Sequence, residues 1–416
     1  MDKRLVILVI IIFAAGCRKE SATPVAEPGS FLLSWQGDPT TTMTVDWHPE
    51  PGTNVWMEYR EQGSAQWQVP TARKKQVTGM DRFLLRTELT SLKPDHNYEF
   101  RFSGDDPVYR FRTMPQTLER PIRFIAAADI MHHRQWMEIT AESAMKVAGD
   151  DLDFAVIGGD LAYGDAVVRK AFRWFDYFEA WSGIMITDDR RVIPHLAAIG
   201  NHEVKNHFVY NYPVSRYSQE DFARTEAPYF TTFIPLPGEK GYDLLDFGDY
   251  LTLFLLDSGH LNPIAGKQAN WLADALRSRS GVRHLLPVYH VAAYPSARNF
   301  DGFLQTEIRE HWVPLFETHG VRLAMEYHDH TFKLSHPIRN NQVDETGIYY
   351  VGDGGWGTNV RNPRTDEHGN LPWYIANADS VRNFSIVEIR DDLIQVDMYN
   401  DQGGRLDQLI IPDAGR

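Results

Sequence analysis

Five apolar stretches constrain this chain most. They are IRFIAAA at 122–128, FAVIG at 154–158, VIPHLAAI at 192–199, HLLPVYH at 284–290 and VRLAMEY at 321–327. Each is short, as buried strands are, and each runs straight into a carboxylate, an amide or an imidazole. Helical spacing recurs near 134–148, 166–182, 267–277 and 305–318, and YLTLFLLD at 250–257 adds a further strand. Strands alternating with helices specify βαβ units and helices layered on sheet. After 330 the strands TFKLSHP, GIYYVGD, FSIVEIR and LIQVDMY recur without helices between them. The pattern predicts an α/β core of two mixed sheets between helical layers. Ligands of such sheets bind at the carboxyl ends of strands. Here those ends carry Asp129, Asp160, Asn201 with His202, His290, and His328 with His330.

Taken singly, each of these residues has a plain structural use. Asp129 could cap the helix expected from 134. GNHE at 200–203 could be a turn, HDH at 328–330 a solvated strand end, and His290 a core histidine. Their occurrence in one order, each behind a strand, points to a shared site. Two aspartates, an asparagine and three histidines are oxygen and nitrogen donors without sulfur, which suits Fe, Zn, Mn, Co or Mg. They are too many for one metal with an open position. They fit two cations about 3.5–4 Å apart sharing a carboxylate, an arrangement that clamps the attacking and leaving oxygens of a phosphoryl displacement.

A different texture precedes this core. TMTVDW (42–47), VWMEYRE (55–61), FLLRTEL (83–89) and YEFRF (98–102) are short alternating strands between turn residues. LKPDHNY at 92–98 has the look of the tyrosine corner of β-sandwiches, and the segment 31–116 resembles a fibronectin type III domain. Ahead of it, MDKR and the apolar segment 5–15 lead to AAGC at 14–17. That motif resembles the lipobox of bacterial lipoproteins, which implies a signal peptide over 1–17, lipidation of Cys17, and an exported protein held to a membrane of the bacterial envelope. Residues 18–30 read as a flexible tether. Cys17 is the one cysteine of the chain, so the exported part has neither disulfide nor thiolate ligand. The net charge of −14 disfavours a nucleic-acid partner, because phosphate backbones would be repelled.

Asp129, GD at 159–160, GNHE at 200–203, His290 and HxH at 328–330 together resemble the calcineurin-like metallophosphoesterases. The tyrosine of GDLAY at 159–163, behind a fibronectin-like domain, is similar to the purple acid phosphatases. The resemblance implies a layered αββα metallophosphoesterase domain over 120–412. It places Asp129, Asp160, Tyr163 and His330 on a first metal, and Asn201, His290 and His328 on a second, with Asp160 bridging. A phenol titrating near pH 10 ionises at neutral pH only with strong help, so Tyr163 implies Fe(III) in the first site. The second metal is Fe, Zn or Mn.

The implied reaction is hydrolysis of a small phosphate ester by a hydroxide activated on the cations, most simply an acid phosphomonoesterase. A phosphodiesterase on the same centre and a cell-surface binding protein with a degenerate catalytic domain are the alternatives. His202 would orient phosphate and protonate the leaving alkoxide, or else hydrogen-bond a ligand carboxylate. His132, His133, Tyr294 and Arg298 are candidates for the substrate pocket. Three departures from the family pattern stand out. Met131 lies two residues after the first aspartate and could narrow the pocket. Tyr327 stands where glycine is usual. VAAYP at 291–295 displaces the proline expected directly after His290.

Overall fold

The computed structural model describes residues 29–104, 107–216, 221–352 and 354–413. The leader, Cys17 and nearly all of the tether lie outside the described residues. Among the described residues no helix is long and apolar enough to cross a membrane.

The N-terminal unit is all β. Its strands are β1 (Ser30–Ser34), β2 (Met43–His48), β3 (Met57–Glu61), β4 (Arg73–Gln76), β5 (Phe83–Leu89), β6 (Asn97–Phe102) and β7 (Tyr109–Arg112). They form one sheet in the order β1-β2-β5-β4 and a second in the order β3-β6-β7, the ABED/CFG order of immunoglobulin constant-type sandwiches. Alternate residues such as Leu33, Val45, Trp47, Phe100 and Phe111 fill the space between the sheets. The tyrosine of LKPDHNY turns a corner as its sequence suggests: Tyr98 Oη accepts the Lys93 N–H at 2.9 Å.

The rest of the chain begins with β8 (Ile122–Ala127), α1 (Arg134–Ala148), β9 (Phe154–Ile157), α2 (Phe172–Ile184) and β10 (His195–Ala197). Short helices α3 (Phe222–Glu226) and α4 (Pro228–Phe233) follow, then β11 (Asp243–Phe247), β12 (Leu251–Leu255), α5 (Lys267–Ser278) and β13 (His284–Val291). Next come α6 (Phe303–His311), α7 (Val313–Thr318), β14 (Leu323–Tyr327), β15 (Phe332–Ser335), a small hairpin of β16 (Ile338–Arg339) and β17 (Gln342–Val343), and β18 (Tyr349–Gly352). The chain closes with β19 (Ile375–Asp379), β20 (Asn383–Ile389), β21 (Leu393–Asn400) and β22 (Arg405–Pro412).

Two large sheets result, ordered β10-β9-β8-β20-β21-β22 and β11-β12-β13-β14-β18-β15-β19. The period-two alternation of strands decides what covers each face. Phe124 and Ala126 of β8 share one core with Leu253, Leu286 and Met325 of the other sheet. Ile125 and Ala127 point the opposite way, to Met137 of α1 and Trp174 of α2. Leu285 and Tyr289 of β13 likewise meet Leu272, Ile308 and Phe316 of α5 to α7. The strands β8, β9 and β10 are parallel, as are β12, β13 and β14. Their carboxyl ends therefore open at one edge of each sheet.

Local boundaries depart from the sequence pattern for identifiable reasons. The helix expected from 166 starts at Phe172, because Tyr163, Asp165 and Ala166 hold left-handed backbone that no helix accepts. The single helix expected over 305–318 is two, divided at Trp312. Pro314 sits in the first turn of the second, a place that tolerates its missing N–H where a helix interior would not.

The sandwich is joined to the rest by buried contacts. Arg86 grips Asp46 through two bonds of 2.7 and 2.5 Å and also donates to the Phe233 carbonyl at 2.8 Å. His48 stacks on Phe178 with 4.5 Å between ring centres, and Trp35 meets Phe154 and Phe247 edge-on.

Candidate metal centre

The loops after β8 and β9 stay in register beyond their strands. The N–H groups of Asp129, Ile130 and Met131 donate to the carbonyls of Gly159, Asp160 and Leu161 at 2.9–3.1 Å. That pairing brings Asp129 and Asp160 side by side. Both hold φ near +55°, as do Tyr163 and His330, while His328 stands at +78°. Left-handed backbone is uncommon for residues with a side chain and collects where function over-determines the chain. Five such residues here are residues the sequence singled out.

Gly158 and Gly159 answer two different needs. Gly159 has φ of +103°, and a Cβ on it would lie 2.8 Å from Gly200 and from His290 Nδ1. Gly158 has no such dihedral. A Cβ there would lie 1.9 Å from the Tyr327 ring, and one on Gly352 would lie 2.9 Å from the same ring. Tyr327 therefore lies across two glycines, on ordinary strand backbone and 1% exposed. A tyrosine here brings no backbone strain, and the room for its ring comes from Gly158, just past β9, and Gly352, at the end of β18.

The side chains form two adjacent groups. In the first, Asp129 Oδ1 accepts the Tyr163 hydroxyl at 3.0 Å and lies 2.9 Å from His330 Nε2. His330 Nδ1 faces the Asn359 carbonyl at 3.1 Å, which directs its other nitrogen inward. In the second, His290 Nδ1 donates to the Gly158 carbonyl at 2.9 Å. That bond leaves His290 Nε2 facing Asn201 Oδ1 at 3.1 Å, His328 Nδ1 at 3.0 Å and Asp160 Oδ2 at 3.3 Å. Ligand atoms of Asp160, His290 and His328 all lie within 4.8 Å of one another.

These contacts bear on whether a cation fits. Four electron-rich atoms converge on one point, and Asp129 Oδ2 and Asp160 Oδ2 are buried without a hydrogen-bond partner. An unpaired buried carboxylate oxygen is costly unless a positive charge meets it. With protons as the only cations, burial works against a charged His290, yet Asp160 overrides it and pushes the imidazole up to about 9. Burial pushes His328 well below the ordinary imidazole range, with His290 adding to it. A further mark is Gly354, where a Cβ would fall 1.9 Å from Asp129 Oδ2. The donor set fits metal ions.

Around these groups stand residues that sequence reading passed over. The Glu203 carboxylate is buried and accepts the N–H groups of Asp160, Leu161 and Gly200 at 2.8–3.0 Å, tying two ligand loops together. Burial, with the Asp160 charge, pushes it up to about 7. Arg173 donates to the Ala162, Met131 and His132 carbonyls and so clamps the loops after β8 and β9. His260 packs behind His290, fully buried and fixed by Ser258 and the His207 carbonyl. Only Glu203, as the last letter of GNHE, left a sequence signal.

His202 lies at the rim with its side chain 27% exposed. Its N–H donates to Asp160 Oδ1 at 2.8 Å, its ring lies 4.3 Å from that of Tyr163, and its Nδ1 meets Asp165 Oδ1 at 2.5 Å. Burial lowers its pKa, but Asp160 and Asp165 more than offset this and leave it raised. His132 stacks on Tyr163 at 4.8 Å between centres, and the exposed His133 leans on Trp136. Arg298 lies 3.3 Å from Asp329 and donates to the His328 carbonyl.

Two expectations need correction. Tyr294 is not available to a substrate: it is 1% exposed and packs among Phe300, Tyr350 and Tyr374. Met131 does not narrow a pocket, since its side chain is buried in the core under α1 and α2.

Residues 28–113 match the family model for the N-terminal domain of purple acid phosphatases. Two uncharacterized proteins, from two strains of Mycobacterium tuberculosis, are each 23% identical over 362 residues, covering 77% of this chain and 64% of theirs. The chain thus spans less than two thirds of the length of these relatives. Among solved structures, the sensor domain of an anti-sigma factor of Pseudobacteroides cellulosolvens aligns at 15% identity and a TM-score of 0.17 over 20% of this chain and 88% of that one.

Proposed function

We propose that this chain is a two-metal hydrolase of phosphate esters, most simply an acid phosphomonoesterase of purple acid phosphatase type, on a layered αββα metallophosphoesterase domain. One observation carries the reading. Side chains from the ends of five strands turn their free donor atoms on each other, with two buried carboxylate oxygens left unpaired. The match of the N-terminal segment supports the same family.

In this reading Asp129, Tyr163, His330 and Asp160 hold one cation, and Asp160, Asn201, His290 and His328 the other. When bound, the cations would acidify water and neutralise phosphoryl charge. The chain's own residues do the rest. The carbonyls of Gly158 and Asn359 fix the tautomers of His290 and His330, so that each presents a lone pair inward. Glu203 and Arg173 hold the ligand loops against rotation. His202, poised by Asp165 at the rim, carries a proton to the leaving alkoxide.

Tyr163 sets the choice of the first metal. Burial and the charges of Asp129 and Asp160 push its phenol well above its ordinary range. Only a strongly polarising ion, Fe(III) by preference, would draw off that proton. Iron-loaded protein should therefore absorb in the visible, and Tyr163→Phe should bleach it. A band that survives the substitution removes the tyrosine from the first site. The second ion is Fe, Zn or Mn.

The activity is tested on metal-loaded protein lacking residues 1–17, by comparing nitrophenyl phosphate with bis-nitrophenyl phosphate from acid to neutral pH. Faster monoester cleavage at acid pH is expected. Faster diester cleavage would make the enzyme a phosphodiesterase, and turnover of neither by fully loaded protein would sink the hydrolase. Export and anchoring through Cys17 belong to the same proposal, supported by AAGC at 14–17. Fatty-acid labelling in cells should mark the chain and be lost in Cys17→Ser. Labelling that persists would refute the anchor.

A further inference from the structure

A second cavity of about 280 Å³ opens at the opposite end of the same strands. It lies where β13 and β14 begin, whereas the candidate centre lies where they end. The six residue steps from His284 to His290 separate the two by about 20 Å. Arg283, Arg322 and Arg339 line it, over an apolar floor of Leu285, Ile394 and Ile411.

The three arginines are not in the same state. Arg283 is occupied by Asp391 at 2.8 Å and Asp413 at 3.5 Å. Arg322 and Arg339 form no carboxylate pair within 4 Å among the described residues. Each donates to one backbone carbonyl, Arg322 to Glu345 at 3.5 Å and Arg339 to Thr346 at 3.3 Å. The Nε of each is buried without a hydrogen-bond partner. Asp344 feels the field of Arg339, but its carboxylate is taken by the Thr346 N–H and hydroxyl at 2.8 and 2.7 Å. A guanidinium has five donors, and leaving them short of partners while partly buried is costly. In a chain of net charge −14, two such arginines in one cavity are a selective feature.

We propose that this cavity binds a small amphipathic oxyanion: a carboxylate, sulfonate or phosphate group on a short apolar body. The planar forks of Arg322 and Arg339 match an oxyanion bidentately. Leu285, Ile394 and Ile411 take the body, and a space of some nine water volumes is larger than a bare ion needs.

The test uses metal-loaded protein and titration calorimetry with 1-hexanesulfonate, which no phosphoesterase can cleave, against inorganic sulfate. One hexanesulfonate per chain is expected, bound more tightly than sulfate. Arg322→Ala/Arg339→Ala should weaken it at least about tenfold. Arg322→Lys/Arg339→Lys, which keeps the charge and spares the fold, should weaken it less. Asn201→Ala, a change at the metal centre, should leave it alone. No binding, or binding untouched by both double variants, overturns the proposal. Sulfate binding as tightly as hexanesulfonate overturns the amphipathic ligand.

Discussion

Asp160→Asn is expected to cost at least about a hundredfold in metal affinity and to abolish hydrolysis while leaving the fold in place. The change is nearly isosteric, and the backbone at 160, with φ of +53°, is one that asparagine accepts better than most residues. The amide oxygen can keep the bond from the His202 N–H. What disappears is the charge of Oδ2, the atom that faces His290 without a hydrogen bond and that would be shared by both ions. Two readouts besides activity apply. Metal content per chain should fall. The stabilisation given by metal, about 4 kcal/mol at a thousandfold excess over the dissociation constant, should shrink by about 2.7 kcal/mol for that hundredfold loss. The shrinkage is read against the metal-free form of each protein, because the variant also loses the charge that holds the buried His290 protonated. A variant that keeps both ions and their stabilisation would show that Asp160 does not bridge.

Much of this site was legible because the chemistry sits in chain order at strand ends. Asp129, Asp160, Asn201, His290, His328 and His330 each follow an apolar run, and parallel strands put such residues at one edge. The helices over 134–148 and 267–277 and the strand over 83–89 were readable for the same reason, since local period and burial agree there. What could not be read depends on distant partners. Tyr327 looks out of place until its ring is seen across Gly158 and Gly352, at the ends of two other strands. Tyr294 looks like a pocket residue because it is polar and near His290, but its backbone N–H and its neighbours' bind the buried Glu326, and the ring is carried into the core. Glu203 closes the GNHE motif, which by itself assigns it no role. Its carboxylate acts through three backbone N–H groups, and such groups leave no mark on side-chain patterns. The strand β22 and the short helices between 200 and 240 carry too little periodicity to be seen.

His202 and Asp165 give the second large effect, and it separates two roles for His202. As a general acid it should matter in proportion to the difficulty of the leaving group. His202→Ala should then slow an alkyl phosphate by about 10²–10⁴ and nitrophenyl phosphate far less, because nitrophenolate departs without a proton. Asp165→Asn should show the same split more mildly, and it adds a pH signature. An acid works while protonated, so activity falls as pH rises through its pKa. Burial alone would lower the His202 value, but Asp160 and Asp165 hold it above the ordinary imidazole range. Asp165 in turn is kept down at about 2, against its own burial, by His202 and Lys170, so it is charged throughout. Removing that charge lowers the His202 pKa, and the alkaline limb of the alkyl-ester profile should move to lower pH. The ligands are unchanged, so metal content should stay at the parent level. If instead both esters slow equally and the limb stays put, His202 transfers no proton. The alanine variant keeps the backbone N–H that bonds Asp160, so the contribution of the side chain would then lie in its position, with Nε2 3.9 Å from Asp160 Oδ2 and the ring against Tyr163.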